Sequence, residues 1–256
     1  GASGVLPTPR AEALWPEVRA ALQQLRGAFE PSVYDPATQP QSFRLAMADA
    51  TAAQLLPPLL EQLQRQAALA ELRVLPLLTR DPTPLLERGE TELAIGHFPE
   101  LVSHQISQGA HAPLRYQYLY ESEYVCVMRR DHPLAEAELT LDTYCAAAHL
   151  LVSFSGRPQG LVDEALARLQ RKRRIVLAVN QFFTAGRVVT CTDLLTVLPR
   201  AFLATTGAAE QLICRPLPLP LAPLQIHLVW HRRHDPLPAQ RWLRERITEV
   251  ARQAGS

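Results

Sequence analysis

The first half of the sequence alternates between short apolar segments and segments of helical period, and this alternation restricts the chain to a small set of folds. Strand, helix, strand, helix and strand are predicted in turn over SFRLAMADA (42–50), TAAQLLPPLLEQLQRQAA (51–68), ELRVLPL (71–77), PTPLLERGE (82–90) and ELAIGHF (92–98). Strands that are joined through helices pair in parallel, and the helices then cover the faces of the sheet. The order therefore predicts an α/β lobe built on a parallel sheet.

Pro57 and Pro58 lie inside the first of these helices. Each proline removes the hydrogen bond that its N–H would donate to the carbonyl four residues earlier, and its ring crowds that carbonyl. We therefore expect the helix to begin near Thr51 and to be distorted or restarted at the prolines. Gly89 stands where the next helix should end, a position that favours glycine.

The segment LRYQYLYESEYVCVMRR (114–130) is too long for one strand and carries Glu121 and Glu123 in its middle, which predicts two strands joined at a crossing point. The alternation then resumes, with helices predicted near 140–146 and over 161–170, 183–191, 200–210 and 238–253, and strands over 149–155, 174–180, 194–199, 211–219 and 224–233. This pattern predicts a second α/β lobe with its own parallel sheet, linked to the first lobe by long strands.

The N-terminal segment GVLPTPRAEALWPEVRAALQQLR (4–26) is predicted to form a turn and an amphipathic helix. Thr8 and Pro9 are residues that favour a helix start. Apolar side chains recur at steps of three or four residues: Leu14, Val18, Leu22, Leu25 and Phe29. Such a stripe needs a partner, which is either the helix's own domain or a dimerisation or connector surface.

The composition excludes several classes of protein. With 256 residues, of which 47% are hydrophobic, the chain can bury one large core or two modest ones. No segment approaches the roughly 18 uninterrupted apolar residues of a membrane span, and no signal-peptide pattern is present, so cytoplasm is the expected location. A formal net charge of +1 gives no general attraction to nucleic acid, and the four cysteines are scattered, which favours reduced thiols over a zinc site.

Two linked α/β lobes enclose a cleft, and ligands of such sheets bind beyond the carboxyl ends of the strands, beside helix N-termini. This geometry selects five loops: 49–51, 96–97, 153–156, 180–184 and 190–193. Asp49 is expected to be the N-cap of the helix that follows it. At a helix that faces the cleft, an N-cap also lies where a ligand would make contact.

These loops contain no complete catalytic constellation. Ser153 and Ser155 lie near His149 in the sequence, but no G-x-S-x-G elbow is present, so the serines are interpreted as hydrogen-bonding or turn residues. Neither of the common glycine-rich phosphate-binding motifs occurs. A cleft without a catalytic group indicates binding rather than turnover.

The remaining polar clusters also favour structural interpretations. His97, His104 and His111 recur every seven residues, but no carboxylate or cysteine stands at ligand spacing, so neither a metal nor another cofactor is expected. The run RKRR (171–174) follows a predicted helix. There we interpret the arginines as a complement to the helix dipole rather than as a nucleic-acid patch.

Six segments, taken in order, resemble the regulatory half of LysR-type transcriptional regulators, especially the branch that contains nodulation-gene and nitroaromatic-responsive regulators: FRLAMADATAAQLLPPLLEQLQ, LLERGETELAIG, YLYESEYVCVMRRDHPLA, LVDEALA, TDLLTVLPR and WHRRHDPLPAQRWLRE. The resemblance covers nearly the whole chain. The order and spacing of RRDHPLA, TDLLTVLPR and the last segment are the most specific part, whereas LLERGETELAIG is a common phrase of the family.

The resemblance implies two Rossmann-like lobes of the type 2 periplasmic-binding-protein fold, joined by crossing strands and preceded by a linker helix. It divides the chain into the end of a winged helix-turn-helix domain with the linker helix (1–40), lobe I (41–121 and 222–256) and lobe II (122–221). The dimerisation helix would carry Leu14, Val18, Leu22 and Leu25. The family's DNA-reading domain is expected to lie outside this sequence.

The resemblance also implies a ligand-sensing domain without enzymatic activity, which binds a small aromatic or carboxylate effector between the lobes. The candidate effector contacts, from the family's contact loops and the cleft loops above, are Asp49, Ala50, Thr51, Gly96, His97, Ser153, Phe154, Gln181 and Phe182. Nitroaromatic-responsive members often carry a histidine where this chain has Gln181, which weakens the expectation of a salicylate-like effector. Phe154, Phe182 and Phe183 still favour a flat, partly apolar ligand.

The resemblance also implies homodimers or homotetramers. Promoter DNA and RNA polymerase would be partners only through the full-length protein, and no membrane partner is expected.

Two alternative functions stay open. A solute-binding protein of a transporter would share the two lobes, but it would need a secretory signal and would not carry the N-terminal helix. An enzyme on the same fold would need a catalytic group in the cleft.

Overall fold

The computed structural model describes residues 8–11, 14–15, 17–18, 21–22, 33–109 and 112–254. The strands are β1 (Gln41–Met47), β2 (Ala70–Pro76), β3 (Leu93–Gly96), β4 (Leu114–Ser122), β5 (Tyr124–Arg129), β6 (Ala148–Val152), β7 (Arg174–Val179), β8 (Leu194–Pro199), β9 (Leu212–Arg215) and β10 (Leu224–His231). The helices are α1, whose described residues are 9–11, 14–15, 17–18 and 21–22, and α2 (Asp49–Arg65), α3 (Thr83–Glu87), α4 (Pro99–Gln108), α5 (Leu141–Ala146), α6 (Leu161–Arg168), α7 (Phe182–Val189) and α8 (Pro238–Ala254).

The strands form two five-stranded sheets, one in each lobe, with the orders β2-β1-β3-β10-β4 and β7-β6-β8-β5-β9. The prediction of purely parallel sheets is wrong. β10 runs antiparallel to both β3 and β4, and β5 runs antiparallel to both β8 and β9. The reason is that β5 and β10 enter their sheets directly from the other lobe, without the helical crossover that makes neighbouring strands parallel.

The crossing point predicted within residues 114–130 is confirmed. β4 ends at Ser122 in the first sheet and β5 begins at Tyr124 in the second, so that a single residue, Glu123, joins the lobes there. The chain returns between Arg215 and Leu224, where β9 of the second sheet leads into β10 of the first. Both connections lie beside the space between the lobes.

The prediction of a helix interrupted at Pro57 and Pro58 is wrong. α2 begins two residues earlier than expected and continues for 17 residues through both prolines. Leu55 and Leu59 are buried on either side of the prolines, in a core that also contains side chains of α8. Burial of this face outweighs the two hydrogen bonds that the prolines cannot donate.

The helix predicted over 200–210 is replaced by two 3-10 helices, Arg200–Thr205 and Ala209–Gln211. In α1, the side chains of Leu14, Val18 and Leu22 are about half exposed, whereas Leu25 lies outside the described residues. Among the described helices, none has the length and apolar character to span a bilayer.

Candidate functional site

A cavity of about 420 Å³ lies between the two lobes. Part of its wall is formed by residues that follow the carboxyl ends of four parallel strands: Ala48, Ala50, Thr51 and Gln54 after β1, and residues 77–80 after β2, 97–100 after β3 and 153–155 after β6. The lining also includes side chains from the two crossings, from the segment 157–168 that contains α6, and from Arg173 and Phe182. The cleft therefore lies at the edge of both sheets where α/β folds bind ligands.

Seven of the nine predicted contact residues line this cavity: Ala50, Thr51, Gly96, His97, Ser153, Phe154 and Phe182. Asp49 and Gln181 line a smaller neighbouring cavity of about 170 Å³ instead. The predicted loop 190–193 precedes β8 at the amino end of that strand, and none of its residues lines either cavity.

Asp49 is not the N-cap of its own helix, contrary to the prediction. Ala48 is the N-cap of α2, and no side chain caps the amides there. The carboxylate of Asp49 reaches across to the other lobe, where it accepts hydrogen bonds from the backbone N–H groups of Phe182 at 3.1 Å and Phe183 at 2.8 Å. These amides begin α7, so Asp49 caps a helix of lobe II from lobe I.

We expect Asp49→Ala to lower the free energy of unfolding by about 1–2 kcal/mol, because the start of α7 loses its cap. Urea denaturation at neutral pH measures this change. Asp49→Asn should recover most of the loss, since an amide oxygen also caps. Asp142→Ala is the matched control, because Asp142 is a first-turn acid of α5 whose side chain is 81% exposed. Equal losses in Asp49→Ala and Asp142→Ala would contradict the cap between the lobes.

Sequence reasoning missed several polar residues of the cleft: Arg80, Tyr120, Tyr124, Arg157 and Arg173. Arg80 lies just beyond β2, where the rule that selected the other loops would have found it. Arg157 lies in the segment GRPQG, which sequence patterns identify only as a turn. The two tyrosines flank the crossing from β4 to β5, and no local signal in the sequence assigns a strand residue to a cleft.

The phenols of the cleft remain neutral. Burial raises the pKa of Tyr120 to about 12, although its hydrogen bond with Thr51 opposes this shift. Burial also raises the pKa of Tyr124, and the ring of Tyr124 packs edge to face against Phe182 with 6.0 Å between centroids. The site therefore offers hydroxyl groups and aromatic surface rather than phenolate charge.

Arg173 forms a buried ion pair within lobe II. Its Nε and Nη2 donate to the two carboxylate oxygens of Asp163 at 2.8 and 3.1 Å, and its Nη1 donates to the hydroxyl of Tyr144 at 3.0 Å. Arg171, two residues earlier, pairs with Asp142. The interpretation of RKRR as a complement to a helix dipole is therefore wrong for these two arginines.

His97 is uncharged near neutral pH. Burial lowers its pKa, a hydrogen bond with the carbonyl of Gln225 opposes this shift, and the positive charge of Arg80 lowers the pKa further. The Nδ1 atom lies 3.1 Å from that carbonyl oxygen. Nδ1 therefore carries the proton, and Nε2 remains an acceptor.

The described residues do not assemble a serine nucleophile with a histidine base. The ring of His149 is buried inside β6, where Nε2 donates to the carbonyl of Tyr144 at 2.7 Å rather than contacting Ser153 or Ser155. No group of three or more metal-ligating side chains occurs in the same part of the chain. The geometry supports ligand binding.

Comparisons with known proteins agree with this architecture. A model of the LysR substrate binding domain matches residues 37–252. The HTH-type transcriptional regulator SyrM 1 of Sinorhizobium fredii is 31% identical over 98% of this chain and 71% of its own length. The HTH-type transcriptional activator NagR of a Ralstonia species is 30% identical over 98% of this chain and 81% of its own length.

Two solved structures from Pseudomonas aeruginosa have the same fold. The regulatory domain of the transcriptional activator MexT matches with a TM-score of 0.70 and 32% identity over 84% of this chain and all of that chain. A probable transcriptional regulator matches with a TM-score of 0.77 and 28% identity over 95% of this chain and 78% of that chain. The type 2 periplasmic-binding-protein fold expected from the resemblance is thus confirmed. The chain belongs to the LysR family of transcriptional regulators, and its two lobes form the effector-binding domain.

Proposed function

We propose that the cleft binds a small organic anion with a flat apolar part, and that this binding controls how the full-length regulator acts on promoter DNA and RNA polymerase. The observation that carries the proposal is the lining of the 420 Å³ cavity, which combines aromatic rings with arginines and backbone amides. A cavity of this size suits a ligand of drug-like dimensions or smaller.

The apolar part of the ligand is expected to lie against an aromatic wall. The ring of Phe182 packs edge to face against both Phe154, at 5.4 Å between centroids, and Tyr124. Phe182 is buried and Phe154 is partly exposed toward the cleft. Such rings favour a planar ligand, which stacks with little loss of conformational entropy.

The negative charge of the ligand has two kinds of partner. The N-terminus of α2 lacks a side-chain cap, and Ala50 and Thr51 in its first turn line the cleft. Uncapped amides at the start of a 17-residue helix attract an anion. Arg80 and Arg157 add positive charge to the lining of the cleft.

A thermal-shift screen tests this function with aromatic and aliphatic carboxylates, each paired with its neutral amide. We expect at least one carboxylate to raise the melting temperature more than its amide, with a stabilisation of about 2.7 kcal/mol at a concentration of 100 times Kd. Thr51→Val should reduce the shift because the hydroxyl is lost. Gln181→Ala, outside the main cavity, should retain it. The proposal would be contradicted if no carboxylate of the panel raised the melting temperature of either the unmodified chain or Gln181→Ala.

We also infer that residues 1–40 hold a linker helix, that residues 41–121 and 222–256 act as lobe I and residues 122–221 as lobe II, and that the chain forms homodimers or homotetramers. The exposed apolar face of α1 supports this inference. So do the edge strands β2 and β7, which expose Val74, Leu75, Val176 and Leu177. Exposed apolar edges of this kind favour a protein partner.

The family match favours a regulator over the two alternatives. Relatives that cover almost the whole chain are named as transcriptional regulators, which supports a role without enzymatic turnover and a location in the cytoplasm, where promoter DNA is found. Neither a transporter's binding protein nor an enzyme is needed to account for the cleft.

A further inference from the structure

A salt bridge spans the cleft from one lobe to the other. Arg80 follows β2 in lobe I, Glu164 lies on α6 in lobe II, and Nη1 of Arg80 is 2.9 Å from Oε1 of Glu164. Both side chains line the cavity, and each is about half exposed to solvent. A carboxylate is therefore already bound to a cleft arginine, and that carboxylate belongs to the protein itself.

Other positive groups near the cleft have internal partners that are held more firmly. Asp49 occupies the N-terminus of α7 with two hydrogen bonds. Asp163 accepts from the N–H of Gly160 at the start of α6, and it forms the buried pair with Arg173. A ligand that replaced Asp49 or Asp163 would leave a partly buried carboxylate without its partners, which is costly.

Arg80 differs because its partner is easily exchanged. Glu164 accepts one hydrogen bond from Arg80, and within the described part of the chain it is the one carboxylate that pairs with this arginine. Ion pairs that water surrounds contribute little to stability, so a second carboxylate can replace the first at small cost. A guanidinium also offers two parallel donors to a free carboxylate, a geometry that Glu164 does not use here.

We propose that Arg80 binds the negative charge of the effector and that Glu164 occupies this position in the absence of effector, so that an anionic effector binds by displacing Glu164. This inference rests on the proposed function of the cleft. Because the pair joins the two lobes, its replacement exchanges a direct contact between the lobes for one made through the effector. An effector that acts in this way interacts differently with the two lobe arrangements, which is the requirement for shifting their populations.

Isothermal titration of the whole chain with benzoate, and with benzamide as its neutral counterpart, tests the displacement. We expect Arg80→Gln to weaken benzoate binding about tenfold or more, because a charge-assisted bond is lost. Glu164→Gln should strengthen it by about threefold to fivefold, since the internal competitor is removed. The double variant should bind benzoate like Arg80→Gln alone, because Glu164 acts only through Arg80.

The control is Glu71→Gln, which breaks the exposed Glu71–Arg73 pair on β2, 3.0 Å long and outside the cavity lining. Its benzoate affinity should equal that of the unmodified chain. If Glu164→Gln strengthened benzoate binding equally with and without Arg80, Glu164 would act by general repulsion and the proposal would be overturned.

Two other results would separate this proposal from the function on which it rests. Benzoate binding that Arg80→Gln leaves unchanged would overturn the role of Arg80 while the cleft remained a ligand site. Failure of both benzoate and benzamide to bind any of the variants would count against the displacement mechanism and the proposed function together.

Discussion

Asp163→Ala should lower the free energy of unfolding by about 3–5 kcal/mol, the largest effect that we expect from any single substitution in this chain. The Arg173 side chain is 2% exposed and that of Asp163 is 13% exposed. Loss of the carboxylate leaves the guanidinium charged and buried with only the hydroxyl of Tyr144 as a described partner. The N–H of Gly160 at the start of α6 loses its acceptor as well.

Urea denaturation at neutral pH measures this loss, and two further variants define its origin. Adding Arg173→Met to Asp163→Ala should recover much of the stability, because the unpaired charge is removed and an apolar side chain fills its place. Glu123→Ala breaks the exposed pair with Arg200 and should cost less than about 1 kcal/mol. If Asp163→Ala cost no more than Glu123→Ala, the pair with Arg173 would not be desolvated.

The order of strands and helices could be predicted from the sequence because periodicity reports which face of each local segment is apolar. The crossing at Glu123 was predictable for the same reason, since a strand that carries two central glutamates cannot remain in one core. The directions of β5 and β10 were not predictable, because they depend on the lobe from which each strand arrives. The persistence of α2 through Pro57 and Pro58 depends likewise on packing against α8, which no local rule includes.

In the candidate site, too, features that depend on the local sequence could be predicted, and features that depend on distant contacts could not. Seven of the nine predicted residues line the cavity because most of the selected loops follow the carboxyl ends of parallel strands, whereas the loop 190–193 precedes β8 and lines neither cavity. The role of Asp49 was missed because its carboxylate caps a helix that lies 133 residues away in sequence. Arg173 was misinterpreted because basic residues that follow a predicted helix favour the helix-dipole interpretation, and its buried partner, Asp163, is known only from the structure.

Acidification from pH 6.5 to pH 4 should destabilise the protein through two buried histidines, one in each lobe. His149 is fully buried and His234 is 3% exposed. Burial is the main cause that lowers both pKa values to about 4. The positive charge of Arg173 adds to the shift at His149, and Arg233, the neighbouring ring of His231 and Arg244 add to the shift at His234. The hydrogen bond with the Tyr144 carbonyl and then the charge of Asp163 oppose the shift at His149, and the Glu92 carbonyl opposes the shift at His234, in each case only in part.

The sign of the effect follows from proton binding. The unfolded histidines take up protons below about pH 6.5, whereas the folded ones resist protonation until about pH 4, so the unfolded state binds more protons throughout this window. The free energy of unfolding therefore falls with pH by up to about 1.4 kcal/mol per unit for each histidine. Asp163, whose pKa is lowered by Arg173 despite its burial, adds its own loss only at more acidic pH.

Urea unfolding at pH 7.0, 5.5 and 4.5 measures this dependence, with His149→Gln and His234→Gln as the informative variants. We expect each substitution to lower the free energy of unfolding at pH 7. Each should also reduce the loss of stability on acidification by about the amount that one titrating histidine contributes. Because the two histidines lie in different lobes, their effects on the slope should add in the double variant. A free energy of unfolding that stays constant from pH 6.5 to pH 4.5 would contradict this prediction, because it would mean that both rings titrate alike in the folded and unfolded chain.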